Sequence, residues 1–85
     1  MPKISLSATE IEALGEAIYE NKIRINVESS NIGWFLVLDV DSGDYEIDKE
    51  DVIATKRLLA RLPEATVYGL RVGYPSAYRL GGVTA

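Results

Sequence analysis

The run Trp34-Phe35-Leu36-Val37-Leu38-Asp39-Val40 does most to decide what this chain folds into. It is the most apolar stretch, with Gly33 before it and the turn residues Asp41-Ser42-Gly43-Asp44 after it, and it is far too short to cross a bilayer. A segment of that length and composition reads as the central strand of a sheet. Alternation resumes at Tyr45-Glu46-Ile47, so a hairpin is expected. Two registers are open. A two-residue loop at Ser42-Gly43 puts Tyr45 and Ile47 on the face of Trp34, Leu36, Leu38 and Val40, leaving Asp39, Asp44, Glu46 and Asp48 with Phe35 and Val37. A three-residue loop with Gly43 left-handed pairs Leu38 with Glu46 and mixes the faces. Burial favours the first.

Upstream, Ser7 and Glu10 have the spacing of a capping box, and Leu6 and Ile11 stand where a hydrophobic staple would form. The pattern predicts a helix from there to about Asn21, with Ile11, Leu14 and Ile18 as its buried stripe and Glu12, Glu16 and Glu20 off it. Lys22 and Arg24 suit the carbonyl end of that helix. From Lys22 to Glu28 strict alternation sets Ile23, Ile25 and Val27 against Lys22, Arg24, Asn26 and Glu28, which predicts an extended segment; strand and loop both stay open for residues 22–33. After the hairpin, Asp48 is the expected N-cap of a second helix that ends at Leu62 before Pro63 and turns Val52, Thr55, Leu58, Leu59 and Leu62 inward. Thr66 to Val72 alternates as a strand, with Tyr68, Leu70 and Val72 on one face and Val67, Gly69 and Arg71 on the other. Beyond Gly73-Tyr74-Pro75-Ser76, Ala77-Tyr78-Arg79-Leu80 forms a short last strand of undecided direction.

Helix, extended segment, hairpin, helix, strand and strand amount to an α+β fold with an antiparallel or mixed sheet and helices on one face. Eighty-five residues suffice for one such domain, 1–85, and not for two. So small a core leaves a thin margin of stability, which makes a homodimer the expected state.

The chain has neither cysteine nor histidine. That excludes disulfides, thiolate zinc sites, cysteine nucleophiles and imidazole bases, and no cofactor is expected. Serines and threonines lack a histidine partner, the lysines sit in exposed contexts, and neither Gly73 nor Gly81-Gly82 belongs to a phosphate-binding pattern. Enzyme activity is not expected. Thirteen acidic against nine basic side chains, a net charge of −4, is the wrong sign for neutralising phosphates, so no nucleic acid partner is expected. Met1-Pro2-Lys3-Ile4 opens no signal-peptide pattern, and no membrane partner is expected; the cytoplasm is the expected location.

Seven carboxylates, Asp39, Asp41, Asp44, Glu46, Asp48, Glu50 and Asp51, crowd into thirteen residues with only Lys49 as a counter-charge. Asp39, Asp41 and Glu50 fall at positions 1, 3 and 12 of an EF-hand-like loop. Gly43 stands where a ligand is wanted, Asp44 where the glycine belongs, and a strand precedes the loop, so a solvated hairpin tip and a helix cap are the expectation and a metal site is not. Asp41-Ser42-Gly43 after Val40 resembles the Asp-Thr/Ser-Gly loop of retroviral-type aspartic proteases, in which two chains share a proton between facing carboxylates, although Asp44 follows where a small residue belongs.

Arg71, Tyr74, Tyr78 and Arg79 gather about the last turn, and arginine with tyrosine dominates interface hot spots. Equally, the tyrosines close the sheet edge and the arginines pair with the acidic hairpin; base stacking on the rings lacks a basic funnel. Lys56, Arg57 and Arg61 read as the solvated face of the second helix, and Phe35 and Val37 fall on the acidic face, where a second subunit would cover them.

The strings from Trp34 through Asp48 and from Leu70 through Gly81 resemble a group of short bacterial proteins of unknown function, and more loosely small ββαβ domains that begin with a Gly-aromatic strand. The resemblance spans about two thirds of the chain and carries no activity and no functional residue. It implies work beside a partner protein, as an adaptor or antitoxin-like component. The expected function is therefore a protein-interaction module that engages a partner protein, such as the product of a neighbouring gene, through Arg71, Tyr74, Tyr78, Arg79, Asp44 and Glu46. The alternative is a metal-binding or aspartyl-type hydrolytic protein centred on Asp39, Asp41 and Asp44.

Overall fold

The computed structural model describes residues 6–74 and 77–81. Helix α1 (Ala8–Ile18) begins at the expected capping box: Ser7 Oγ accepts from the Glu10 N–H at 3.2 Å and Glu10 Oε1 accepts from the Ser7 N–H at 2.8 Å. It does not stop near Asn21. A π-helical stretch, Tyr19–Ile23, leads straight into α2 (Arg24–Val27), so residues expected to be extended are helical.

The buried positions explain this correction. Ile11, Gly15, Tyr19, Ile23 and Val27 recur every four residues. On an α-helix each such step overshoots a full turn by about 40°, so the five positions would wind about 160° around the axis. The π turn takes in one more residue and returns about 100° of that drift, which keeps the stripe on the sheet. Ile23 and Val27 are thus buried one turn apart, whereas Ile25 between them is 85% exposed. Leu14, expected inside, is 44% exposed; Gly15 takes the inward place, directly against the Tyr68 ring.

Strands β1 (Phe35–Asp39), β2 (Tyr45–Asp48), β3 (Val67–Arg71) and β4 (Ala77–Gly81) form a sheet in the order β2-β1-β3-β4, with every neighbouring pair antiparallel. The α+β class is as expected. In the hairpin Leu38 pairs with Tyr45 and Leu36 with Ile47, and the Gly43 N–H donates to Asp39 O at 2.7 Å. The loop is residues 40–43, two longer than expected. Because the slip is two residues and not one, Tyr45 and Ile47 keep the face of Leu36 and Leu38.

The helices do not share one face. Leu36, Leu38, Tyr68 and Leu70 pack under the long first helix, while Val37 and Val67, of opposite parity, pack with Ala54 and Leu58 of α3 (Asp51–Arg61). A strand apolar at both parities needs both covers. Val37 therefore finds within its own chain the cover expected from a second subunit. Helix α3 starts later than expected, because Asp48 closes β2 and its Oδ2 accepts from the Glu50 N–H at 2.8 Å. That start turns Ala54 and Leu58 to the sheet and leaves Val52 57% exposed.

Candidate functional site

Two turns meet at the end of the sheet where β1 begins and β3 ends. In residues 31–34 the Trp34 N–H donates to Asn31 O at 3.0 Å, and in residues 71–74 the Tyr74 N–H donates to Arg71 O at 2.9 Å. Each turn carries a left-handed glycine at its third position, Gly33 at φ 89° and Gly73 at φ 86°, which is where a type II turn requires one. The turns are tied together. The Gly33 N–H donates to Val72 O and the Val72 N–H to Trp34 O, both at 2.8 Å. The Ile32 side chain lies over Gly73, so closely that a Cβ there would stand 2.8 Å from Ile32 Cδ1.

On this frame Arg71 is fixed. Its Nε donates to Gly33 O at 2.9 Å, and its guanidinium carbon lies 4.4 Å from the Tyr74 ring centroid and 5.4 Å from that of Phe35, its direct partner across β1. Among the described residues no carboxylate forms an ion pair with it. Ile32 is 58% and Tyr74 51% exposed, and Lys49 Nζ stands 5.4 Å over the half-buried Trp34 ring. Residues 31–35 and 71–74 contain no Asp or Glu, in a chain that has thirteen. The two turns are aromatic, free of acids and braced by main-chain hydrogen bonds, with Asp48, which Arg57 engages, in register across from Phe35.

The residues singled out in the sequence divide between two places. Arg71 and Tyr74 belong to this corner. Asp44 and Glu46 lie at the hairpin end of β1, where Arg61 of α3 engages them, Nε to Glu46 Oε2 at 2.9 Å and Nη1 to Asp44 Oδ2 at 3.7 Å. One turn earlier Arg57 meets Asp48 at 3.2 Å. The rise of four helical residues, about 6 Å, matches the spacing of about 7 Å between alternate strand residues, so i,i+4 arginines face i,i+2 acids. The arginines of α3, expected to be solvated, thus neutralise the hairpin that Arg71 does not reach. Tyr78 and Arg79 fall on β4, with Arg79 opposite Gly69; their side chains lie outside the described residues. Ile32, Gly33 and Phe35 complete the corner without figuring in the sequence-predicted contact set. The signal for Ile32 and Gly33 is the recurrence of an aliphatic-Gly-aromatic triad, Ile32-Gly33-Trp34 and Val72-Gly73-Tyr74.

The loop carboxylates act as structural acceptors. Asp39 is buried; its Oδ1 accepts from the N–H groups of Thr66 at 2.9 Å and Asp41 at 3.3 Å, and its Oδ2 from that of Ser42 at 3.2 Å. Burial pushes this carboxyl up, and the donors of Thr66, Ser42 and Asp41 more than reverse it, so its pKa falls below the ordinary value. Asp41 Oδ2 accepts from the Thr66 hydroxyl at 3.4 Å. Glu50 lies past the opposite end of β2, so Asp39, Asp41 and Glu50 are not brought together. Among the described residues no three Asp, Glu, His or Cys side chains are grouped to hold a metal ion.

Neither protein-family models, nor curated proteins, nor solved structures match this chain, so its own geometry carries the reading. No helix among the described residues is long and apolar enough to cross a membrane.

Proposed function

We propose that the chain is a non-enzymatic protein-interaction module, of the adaptor or antitoxin-like kind its sequence resembles, and that the corner built by Ile32, Phe35, Arg71 and Tyr74 is its contact surface. The observation that carries this reading is the Arg71 guanidinium, set against the Tyr74 and Phe35 rings and tied to Gly33 O. Pre-ordered arginine and aromatic side chains are what hot spots are made of, because docking then costs little side-chain entropy. With Asp44 and Glu46 engaged by Arg61, the corner supports partner binding better than the acidic hairpin does. Tyr78 and Arg79, next along the chain on the edge strand, remain in the proposed contact set.

The test is co-expression with the products of adjacent genes, followed by size-exclusion chromatography with light scattering. A complex whose affinity drops about tenfold or more with Tyr74→Ala supports the reading. A complex indifferent to Tyr74→Ala and Ile32→Ser, or no complex with any of those products, refutes it. The mass of the free chain in the same run decides whether the module is a homodimer.

A further inference from the structure

We infer that this corner is a carboxylate receptor: Arg71 takes, through its two Nη groups, an Asp, Glu or C-terminal carboxylate from a segment of the partner protein, while an adjoining apolar side chain of that segment seats on Ile32 and Tyr74. The inference deepens the interaction-module reading and rests on it.

Three observations narrow the ligand. First, Arg71 Nε is already committed to Gly33 O, which leaves the terminal N–H fork as its remaining donor edge. A planar fork of that kind matches the two oxygens of a carboxylate, and the Tyr74 and Phe35 rings lie against the guanidinium, 4.4 and 5.4 Å from its carbon. Second, the backbone beside the fork is slim: Gly33 carries no side chain, and even a Cβ there would come no nearer to Arg71 Nη2 than an ordinary contact of 3.9 Å. Third, the charge is local. Neither turn contributes an acid to compete for the fork; Lys49 stands over Trp34, and Arg57 is engaged by Asp48. Two positive charges on a chain of net charge −4 do not make a phosphate track, and the nearby Asp48, Glu50 and Asp51 repel a polyanion. A single carboxylate beside an apolar group meets the attraction at short range and adds contact with Ile32 and Tyr74, which stand 58% and 51% exposed.

The experiment is an NMR titration of the full chain, following the Arg71 Nε–H and the amides of Gly33, Gly73 and Tyr74. The probe is N-acetyl-L-leucine, a carboxylate beside an apolar side chain, and its control is N-acetyl-L-leucinamide, which keeps the side chain and lacks the charge. The acid is expected to move those signals saturably, with the amide about tenfold weaker or worse. Arg71→Gln, exposed and checked for an otherwise unchanged spectrum, is expected to abolish the shifts; Arg71→Lys keeps the charge without the fork and is expected to weaken binding about fivefold. Equal binding of acid and amide, full affinity in Arg71→Lys, or no saturable shift overturns the inference. So does tighter binding at the same signals by inorganic phosphate or a ten-residue oligothymidylate, which would assign the corner to phosphate. If the acid fails while a partner complex still depends on Tyr74, the carboxylate receptor falls and the module stands. If the acid binds as stated and no partner complex forms, the module falls and the receptor stands.

Discussion

Gly15 sits in the middle of α1, where alanine would ordinarily add about 1 kcal/mol to a helix. Here Gly15→Ala is expected to have the opposite sign. An ideal Cβ at this position falls on the Tyr68 ring, 2.5 Å from both Cδ1 and Cδ2 and nearer still to Cγ, where ordinary contact begins at 3.4 Å. The ring is buried in the core beneath α1, so it has no solvent to swing into, and ring or helix must retreat by about 1 Å. Overpacking costs about 1–3 kcal/mol, and overlap with an aromatic ring belongs at the upper end. Set against the helix gain, the net loss is about 2 kcal/mol. For a chain of this length that lowers Tm by about 8–16 °C. Thermal and urea unfolding measure the loss, and a double-mutant cycle with Tyr68→Leu should show that much of it vanishes once the ring is gone. A Gly15→Ala protein that melts at or above the parent temperature would show that α1 is not pressed against Tyr68, and the account of the four-residue stripe would go with it.

Asp39→Asn replaces an acceptor oxygen with an amide donor facing backbone N–H groups, so urea unfolding at neutral pH should register a loss of about 2 kcal/mol. Because the folded pKa of Asp39 lies below its unfolded value of 3.8, its contribution is complete above that value and fades as the pH falls through the folded one. The parent should therefore lose more stability on acidification than Asp39→Asn does; parallel stability-versus-pH curves would contradict the assignment. Deleting Asn21, an exposed residue of the π turn, should regularise the helix and leave the buried positions on their face, whereas deleting Ala13 should turn Ile11 off the core. Circular dichroism melts in which both deletions behave alike would count against the phase argument.

Much of the fold is legible locally. Ser7 and Glu10 announce the first helix, the alternation of Tyr68, Leu70 and Val72 announces β3, and an even shift in the hairpin loop leaves its faces intact. The continuation of the helix was not legible, because apolar Ile25 fell between two buried positions one turn apart and imitated a strand. The second sheet face is obscured in the sequence for a related reason. Glu46 and Asp48 share it with Phe35 and Val37, and only the position of α3 reveals that Arg57 and Arg61 neutralise those acids. At the candidate site, composition pointed to Arg71 and Tyr74. The triad repeated at Ile32-Gly33-Trp34 and Val72-Gly73-Tyr74 marks Gly33 as a turn residue, but no local pattern encodes that its carbonyl receives the Arg71 side chain, 38 residues away in the sequence.

The corner is framed by peptide groups, with glycines supplying the curvature and carbonyl and N–H atoms supplying the ties. Ile32 borders that frame without contributing a polar atom or a ring to it, so position 32 is open to replacement while Tyr74 and Phe35 still flank the guanidinium. A socket of this construction is readily retargeted: descendants with a different residue at that border would inherit the anchor and acquire a new preference, with no need to redesign the scaffold.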